Sequence, residues 1–194
     1  MSQLTRDDLY SLEEYARIRS EFRAKVIAHK RDRTLALGEH VSLYFEDRLT
    51  MQYQIQEMLR IERIFEPQGI EDELAAYNPL VPDGTNWKAT LMIEYEDPEE
   101  RKRELARLVG VEHKVWMQVA GFDRVYPQAN EDLERSTEEK TSAVHFLRFE
   151  LSPQMVSALK QEAALEAGVD HPACTIHLRA VPENVRRSLV SDLD

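Results

Sequence analysis

The sequence predicts a single α+β domain over residues 1–194, with helices packed on a mostly antiparallel or mixed sheet. Segments with helical periodicity and segments with strict apolar–polar alternation both occur along the chain. Hairpin-type turns and helical connections join them, which is typical of α+β folds. With 194 residues, the chain is long enough for one well-cored domain and rather short for two.

The N-terminal segment, about residues 5–30, is predicted to be helical and to pack on or flank the sheet. Thr5–Asp8 and Ser11–Glu14 both have the spacing of a capping box, so a helix should start near each. Apolar residues then recur at helical spacing from Leu12, which predicts an amphipathic helix to about Lys30.

Further elements follow from alternation and from helix-start signals. Two alternating segments on either side of Gly38 predict a hairpin. A helix is predicted from about Arg48 to Phe65, and Asp97 followed by Pro98 should start another that ends at Gly110. The other predicted elements are a short helix at 70–77, strands at 89–95, 115–119, 143–151 and 174–180, a helix from Ser152 to near Gly168 and a helix from Pro182.

Composition excludes several classes of function. Lys and Arg total 25 against 36 Asp and Glu, a formal charge of −11, which disfavours binding to nucleic acid or to anionic membranes. No apolar run approaches the length of a membrane span, and the start lacks the apolar core of an export signal. The single cysteine, Cys174, fits a reducing compartment. We expect a cytoplasmic protein without nucleic-acid or membrane partners.

The predicted helix from Arg48 to Phe65 carries a carboxylate on its apolar face. Glu62 lies near the centre of that face and Gln54 at its edge, among Met51, Ile55, Met58, Leu59, Ile61 and Phe65. A carboxylate in a core must be paired, hydrogen-bonded or neutral. We therefore expect Glu62 to be buried with a donor partner, in a structural network or in an acid/base or metal site. Its replacement by Ala should then cost about 3 kcal/mol.

His145 is the candidate partner for Glu62. It alternates with Val144 and Phe146 on a predicted strand, so its side chain should face the core. A satisfied core histidine and a catalytic base are both consistent with that position. Glu62, Gln54 and His145 are thus the candidate catalytic residues if the protein is a small enzyme.

His171, Cys174 and His177 have a spacing that resembles a metal site. On a regular strand, however, Cys174 and His177 point to opposite faces, and no second cysteine supplies a fourth ligand. We favour a half-buried cysteine with two surface histidines, and metal binding is the alternative. No Glu-x-x-His motif occurs, which disfavours a di-iron site, and no cofactor is predicted.

Basic residues are concentrated in residues 17–33 of this acidic chain. Arg23, Lys30, Arg31 and Arg33 could form a docking surface for an acidic partner. The alternative is an ordinary solvated helix face.

Four segments resemble a known family. They are Leu4-Thr5-Arg6-Asp7-Asp8-Leu9, Leu12-Glu13-Glu14-Tyr15, Gln54-Ile55-Gln56-Glu57-Met58-Leu59-Arg60 with Glu62, and Glu139-Lys140-Thr141-Ser142-Ala143-Val144-His145-Phe146. They resemble the bacterial domain-of-unknown-function family 3501 (DUF3501), and the resemblance extends over nearly the whole chain. Members are uncharacterised, so it implies no reaction and no catalytic residue.

The resemblance does imply a genomic context, because such proteins tend to be encoded beside a rubrerythrin and a cysteine-rich iron–sulfur oxidoreductase. That context implies an accessory or interaction protein of a peroxide-stress or iron-redox system. Its expected partner is a rubrerythrin or an iron–sulfur oxidoreductase. The alternative is a small enzyme with a pocket built around Glu62, Gln54 and His145.

Overall fold

The computed structural model describes residues 3–131, 135–137 and 139–194. Helices and strands are interspersed along this part of the chain. The helices are α1 (Leu12–Arg31), α2 (Arg48–Ile61), α3 (Pro67–Tyr77), α4 (Pro98–Arg107), α5 (Pro153–Lys160) and α6 (Glu183–Val190). The strands are β1 (Thr34–Ala36), β2 (Val41–Glu46), β3 (Asn86–Ile93), β4 (Val115–Val119), β5 (Gln128–Ala129), β6 (Val144–Glu150), β7 (Leu165–His171) and β8 (Cys174–Leu178).

The strands form two sheets. One has the order β1-β2-β3-β6-β5 and the other the order β4-β7-β8, and every pairing is antiparallel. The α+β prediction is confirmed, but the strands are divided between two sheets rather than placed in one. Alternation along a strand predicts which residues share a face, whereas the pairing of strands depends on how the rest of the chain packs.

The main core lies on one face of the five-stranded sheet. On β3, Trp87 and Leu91 are fully buried, whereas Lys88 and Thr90 lie half-buried on the opposite face. The indole Nε1 of Trp87 donates to the carbonyl of Leu189 at 2.9 Å, which joins α6 to the sheet. The core cluster extends from this sheet into the apolar side chains of β4 and β7.

The N-terminal helices form two smaller clusters beside the main core. Tyr15, Phe22 and Val26 of α1 pack together with Tyr53 of α2. The opposite side of α2 packs on α3 through a second cluster that includes Leu74. Within the described ranges, no helix combines the length and the apolarity needed to cross a bilayer.

The helix predicted from Ser152 begins as expected, but the prediction that it ends near Gly168 is wrong. Helix α5 stops at Lys160, and Gly168 lies inside β7. A Cβ at Gly168 would lie 2.3 Å from the carbonyl oxygen of Ile176 and 2.4 Å from the Trp116 ring. This glycine therefore permits close packing across a sheet and is not a helix terminator.

The predicted end of α4 at Gly110 is also displaced. The helix ends at Arg107, and Gly110, with φ of 84°, precedes a 3₁₀ turn over Val111–His113. This turn carries Glu112 to the edge of the candidate site described next.

Candidate functional site

A pocket of ≈ 460 Å³ lies where the Val111–His113 turn meets β5 and the segment before β6. Its lining includes acidic, basic and hydroxyl side chains. The lining residues are Val109, Gly110, Glu112, His113, Ala129, Asn130, Arg135, Ser136 and Thr137. Glu112 and Ser136, which are hydrogen-bonded to each other, both belong to this lining.

A chain of hydrogen bonds runs from this pocket to a buried histidine. The Ser136 hydroxyl donates to Oε1 of Glu112 at 2.5 Å and lies 2.9 Å from the Thr141 hydroxyl. The Thr141 hydroxyl in turn lies 2.8 Å from Nε2 of His145. Glu112, Thr141 and His145 are at most 2% exposed. Four polar side chains are thus satisfied by one another in a nearly dry environment.

The neighbours of His145 determine which ring nitrogen carries the proton. The Asn130 side-chain oxygen accepts from the Phe146 backbone N–H at 3.3 Å, so its NH₂ group faces Nδ1 of His145 at 3.0 Å. Nδ1 therefore accepts, and Nε2 bears the hydrogen. This assignment also fits the carbonyl of Ser142, an acceptor 3.0 Å from Nε2.

The donors of the network then all point towards Glu112. With Nε2 of His145 protonated, Thr141 accepts from it and donates to Ser136, whose own hydrogen goes to Glu112. The second carboxylate oxygen of Glu112 lies 3.4 Å from the Thr141 hydroxyl, whose hydrogen goes to Ser136. It keeps capacity to accept a further hydrogen bond.

The two ends of the network differ in charge. Burial lowers the pKa of His145 from its ordinary 6.5, and the nearby Glu112 only partly opposes this. Burial by itself would raise the pKa of Glu112, but the hydrogen bond from Ser136 and a backbone N–H outweigh it, so the pKa lies below its usual 4.5. At neutral pH, Glu112 is ionised and His145 is neutral.

We expect the buried histidine to make the fold sensitive to mild acid. Because the pKa of His145 is lower in the folded chain than its ordinary 6.5, the unfolded chain binds more protons below that value. The free energy of unfolding should fall as pH drops from about 6.5, and the effect of Glu112 should begin only below about 4.5. The free energy of unfolding, measured with denaturant between pH 7.5 and 5, should depend less steeply on pH for His145→Gln than for the parent. Equal slopes would contradict the assignment.

The prediction that Glu62 is buried is wrong. Helix α2 ends at Ile61, and Glu62 is its exposed C-cap residue. Arg63 adopts φ of 55°, and the N–H of Ile64 bonds to the carbonyl of Leu59 at 2.9 Å. This is a Schellman motif with arginine in place of the usual glycine. The sequence therefore carried no glycine signal for the end of the helix.

The structure does not bring Glu62, Gln54 and His145 together. His145 is buried as expected, but its neighbouring carboxylate is Glu112, 3.9 Å from Nδ1. Neither Glu62 nor Gln54 lines the pocket near His145. A fully buried polar residue of α2 is instead Gln56, whose amide oxygen accepts from the Tyr10 backbone N–H at 2.6 Å.

We now expect Glu62→Ala to change the free energy of unfolding by less than about 0.5 kcal/mol, because the side chain is solvated. Gln56→Ala is the matched comparison on the same helix. It should cost about 1–3 kcal/mol, since it leaves the backbone of Tyr10 without its partner. Thermal unfolding of both variants measures the difference, and a larger loss in Glu62→Ala would contradict the placement.

The three residues with metal-like spacing have separate partners. His171 is buried, not on the surface as expected, and its Nε2 donates to the carbonyl of Val109 at 3.1 Å. His177 lies 2.5 Å from Glu166, and Cys174 is half-buried, which raises the pKa of its thiol. Among the residues described, no three His, Cys, Asp or Glu side chains are grouped as a metal site would need. A metal-free protein stays a prediction.

The prediction that Arg33 belongs to a docking surface is wrong, because it is 2% exposed and ion-paired with Asp192. Arg23 and Arg31 are exposed and Lys30 is half-exposed, so a smaller basic surface remains.

Sequence reasoning missed Glu112, Ser136 and Thr141. All three lie outside regular helices and strands, where hydrophobic periodicity gives no signal. Gly110 was expected to end a helix, but nothing local indicated that the residues after it would meet the segment before β6.

Comparisons with known proteins place the chain in a family. The model of the family described as "Protein of unknown function (DUF3501)" matches residues 3–193. A crystal structure described as a novel protein of unknown function from Burkholderia pseudomallei K96243 is 53% identical, with a TM-score of 0.94 and 100% of each chain covered. No curated protein matches. The chain belongs to the DUF3501 family.

Proposed function

We propose that this protein is an accessory protein that binds a small polar molecule in the pocket at Glu112. The observation that supports the proposal is a carboxylate held ionised by ordered donors and facing a pocket of ≈ 460 Å³. Because the hydrogen bonds already hold the Glu112 carboxylate in place, little conformational entropy is lost when a ligand binds to it.

The charge state favours recognition over proton abstraction. A general base works best with a pKa near the operating pH, whereas that of Glu112 lies below its ordinary value. An ionised carboxylate is instead a strong acceptor for hydroxyl, amine or amide donors. We therefore propose a ligand that presents hydrogen-bond donors to Glu112. A small enzyme, with Glu112 and Ser136 in place of Glu62 and Gln54, is the alternative.

Ligand-dependent thermal unfolding tests this proposal. The probes are small polyols and primary amines, with small carboxylates as the comparison set. A ligand present at 100 times its Kd should stabilise the fold by about 2.7 kcal/mol. Glu112→Gln removes the anionic acceptor with little change in shape and should abolish the stabilisation, whereas Glu139→Gln, at an exposed position, should leave it intact. Equal responses to carboxylates and amines, or an unaltered response in Glu112→Gln, would refute the proposal.

A second candidate function is docking to a cytoplasmic rubrerythrin or iron–sulfur oxidoreductase of a peroxide-stress or iron-redox system. It is favoured by one face of α1, where Ile27 is 43% exposed between Arg23 and Arg31, one helical turn away on either side. Neither arginine forms an ion pair with a residue that the structure describes. Basic groups around an apolar centre suit an acidic partner with its own apolar anchor.

Salt-dependent titration against those proteins from the same organism tests the docking. The triple variant Arg23→Ser, Lys30→Ser, Arg31→Ser should weaken binding at least tenfold at low ionic strength. The control changes Arg101, Lys102 and Lys160, exposed basic residues of α4 and α5, to Ser. Similar losses in both variants would indicate nonspecific charge attraction and contradict a docking site on α1.

A further inference from the structure

A second and larger cavity lies on the other face of the five-stranded sheet. It has a volume of ≈ 620 Å³ and lies between strands β3 and β6 and the end of α3 with the turn that follows. Its apolar walls include Tyr77, Leu80 and Phe146. The charged residues Asp83, Lys88, Glu131 and Arg148 also line it. We call this cavity the sheet cleft.

Lys88 lies in a row of charged residues that crosses the sheet. It is paired in register with Glu46 on β2 and with Arg148 on β6. The carboxylate of Glu46 accepts hydrogen bonds from the hydroxyls of Thr50 at 2.7 Å and Thr90 at 2.8 Å. Glu46, the carboxylate directly across from Lys88, therefore already accepts hydrogen bonds from two neutral hydroxyls.

The other carboxylates around the cleft are occupied as well. Glu131 pairs with Arg148 through both of its oxygens, at 2.7 and 2.8 Å, and Glu150 accepts from Arg148 and from Asn86.

Asp83 accepts from the backbone and hydroxyl of Thr85 at 3.0 and 2.9 Å. Throughout the described part of the chain, no residue forms a hydrogen bond or an ion pair with the amino group of Lys88.

A half-buried lysine whose amino group has no hydrogen-bond or ion-pair partner among the described residues is unusual, because no direct contact replaces the hydration that its charged form loses. The carboxylates of Glu131, Asp83 and Glu150 partly oppose a lowering of the pKa of Lys88, but burial, the largest cause, and the neighbouring Arg148 outweigh them. Both effects increase the fraction of neutral amine, which is the nucleophilic form. Desolvation and a nearby cation are the two ways in which proteins activate a lysine towards carbonyl compounds.

We infer that Lys88 is the nucleophilic amine of a site for a small aldehyde or ketone with an apolar body. The amine nitrogen attacks the carbonyl carbon, and the carbonyl oxygen leaves as water with the two amine hydrogens, so an imine forms. No oxidant or reductant takes part. Tyr77, Leu80 and Phe146 contact the apolar part of the compound.

The charges around the cleft favour a neutral ligand over an organic anion. Arg148 supplies one positive charge and Lys88 supplies a second only when it is protonated, against three negative charges on Asp83, Glu131 and Glu150. The local excess is negative, which disfavours a carboxylate or a phosphate. A neutral carbonyl compound carries no such electrostatic cost.

Reductive labelling of the full chain tests the inference. The probe is benzaldehyde at pH 8 with sodium cyanoborohydride, which reduces the imine to a stable benzylamine that peptide mass spectrometry can locate. Lys88 should be labelled at least ten times faster than the exposed Lys160, and its rate should saturate as the benzaldehyde concentration rises. Equal rates, or a rate at Lys88 that rises linearly, would overturn the inference.

Tyr77→Ala separates recognition by the cleft from simple amine reactivity. This change removes a wall of the cleft but leaves Lys88 in place. The labelling rate at Lys88 should fall at least fivefold while the rate at Lys160 stays unchanged. An undiminished rate at Lys88 in a folded Tyr77→Ala variant, as judged by circular dichroism, would contradict the role of the cleft.

Discussion

Replacing Arg33 by Met is expected to lower the free energy of unfolding by about 3–5 kcal/mol, because it leaves a buried carboxylate without its partner. The guanidinium contacts both oxygens of Asp192, at 2.5 and 3.2 Å. It also donates to the backbone carbonyls of Phe45 and Glu46, both at 3.0 Å. The Arg33 side chain thus links the C-terminal segment to β2. Met is similar in length to Arg but has no hydrogen-bond donors.

Chemical denaturation of Arg33→Met beside Arg31→Met measures this effect. Arg31 is exposed, so its replacement should change the free energy of unfolding by less than about 0.5 kcal/mol. The double variant Arg33→Met, Asp192→Asn removes both charges of the Arg33–Asp192 pair, although Asp47, 3.3 Å from Nε of Arg33, remains. It should be less destabilised than the sum of the two single variants. A loss below about 1 kcal/mol in Arg33→Met would show that the ion pair is not buried in solution.

The second large effect is expected at Gly168, where Ala should destabilise the fold by about 3 kcal/mol, as overpacking of a tight core does. The added Cβ would lie 2.3 Å from a backbone atom, the carbonyl oxygen of Ile176, and 2.4 Å from the Trp116 ring. The ring is fully buried and the oxygen belongs to the paired strand β8. Neither can move without disturbing the three-stranded sheet.

Gly110→Ala is the control for this prediction. A Cβ at Gly110 would meet nothing within 4 Å, so its cost should be only the backbone strain at φ of 84°, about 1–2 kcal/mol. Hydrogen exchange should also differ, with faster exchange in β7 and β8 only for Gly168→Ala. A smaller loss of stability in Gly168→Ala than in Gly110→Ala would contradict the close approach of β7 to Ile176 and Trp116.

Local signals in the sequence predicted where most helices begin. Ser11, Asp97 and Ser152 were expected to cap helices, and each accepts a hydrogen bond from the backbone N–H three residues later. A cap joins residues that are neighbours in the chain, so it needs no tertiary partner. Apolar alternation likewise predicted the β1–β2 hairpin and the burial of His145.

The ends of helices and the pairing of strands were decided by contacts that the sequence does not reveal. Arg63 ends α2 in a conformation that glycine usually adopts, and so Glu62 is outside the core. Gly168 marked a helix end in the sequence, but it is needed where a strand packs closely on Trp116. Arg33, at the end of a basic run, is buried because the C-terminal segment covers it.

The candidate site shows the same division. The sequence by itself determined that His145 faces a core, because alternation on a strand is a local property. Only the tertiary structure decided that its neighbouring carboxylate is Glu112 and not Glu62, since Glu112 reaches the network from a turn between α4 and β4. The partners of a buried polar group are set by whichever distant segments pack beside it. Their identity therefore depends on the whole fold and not on spacing along the chain.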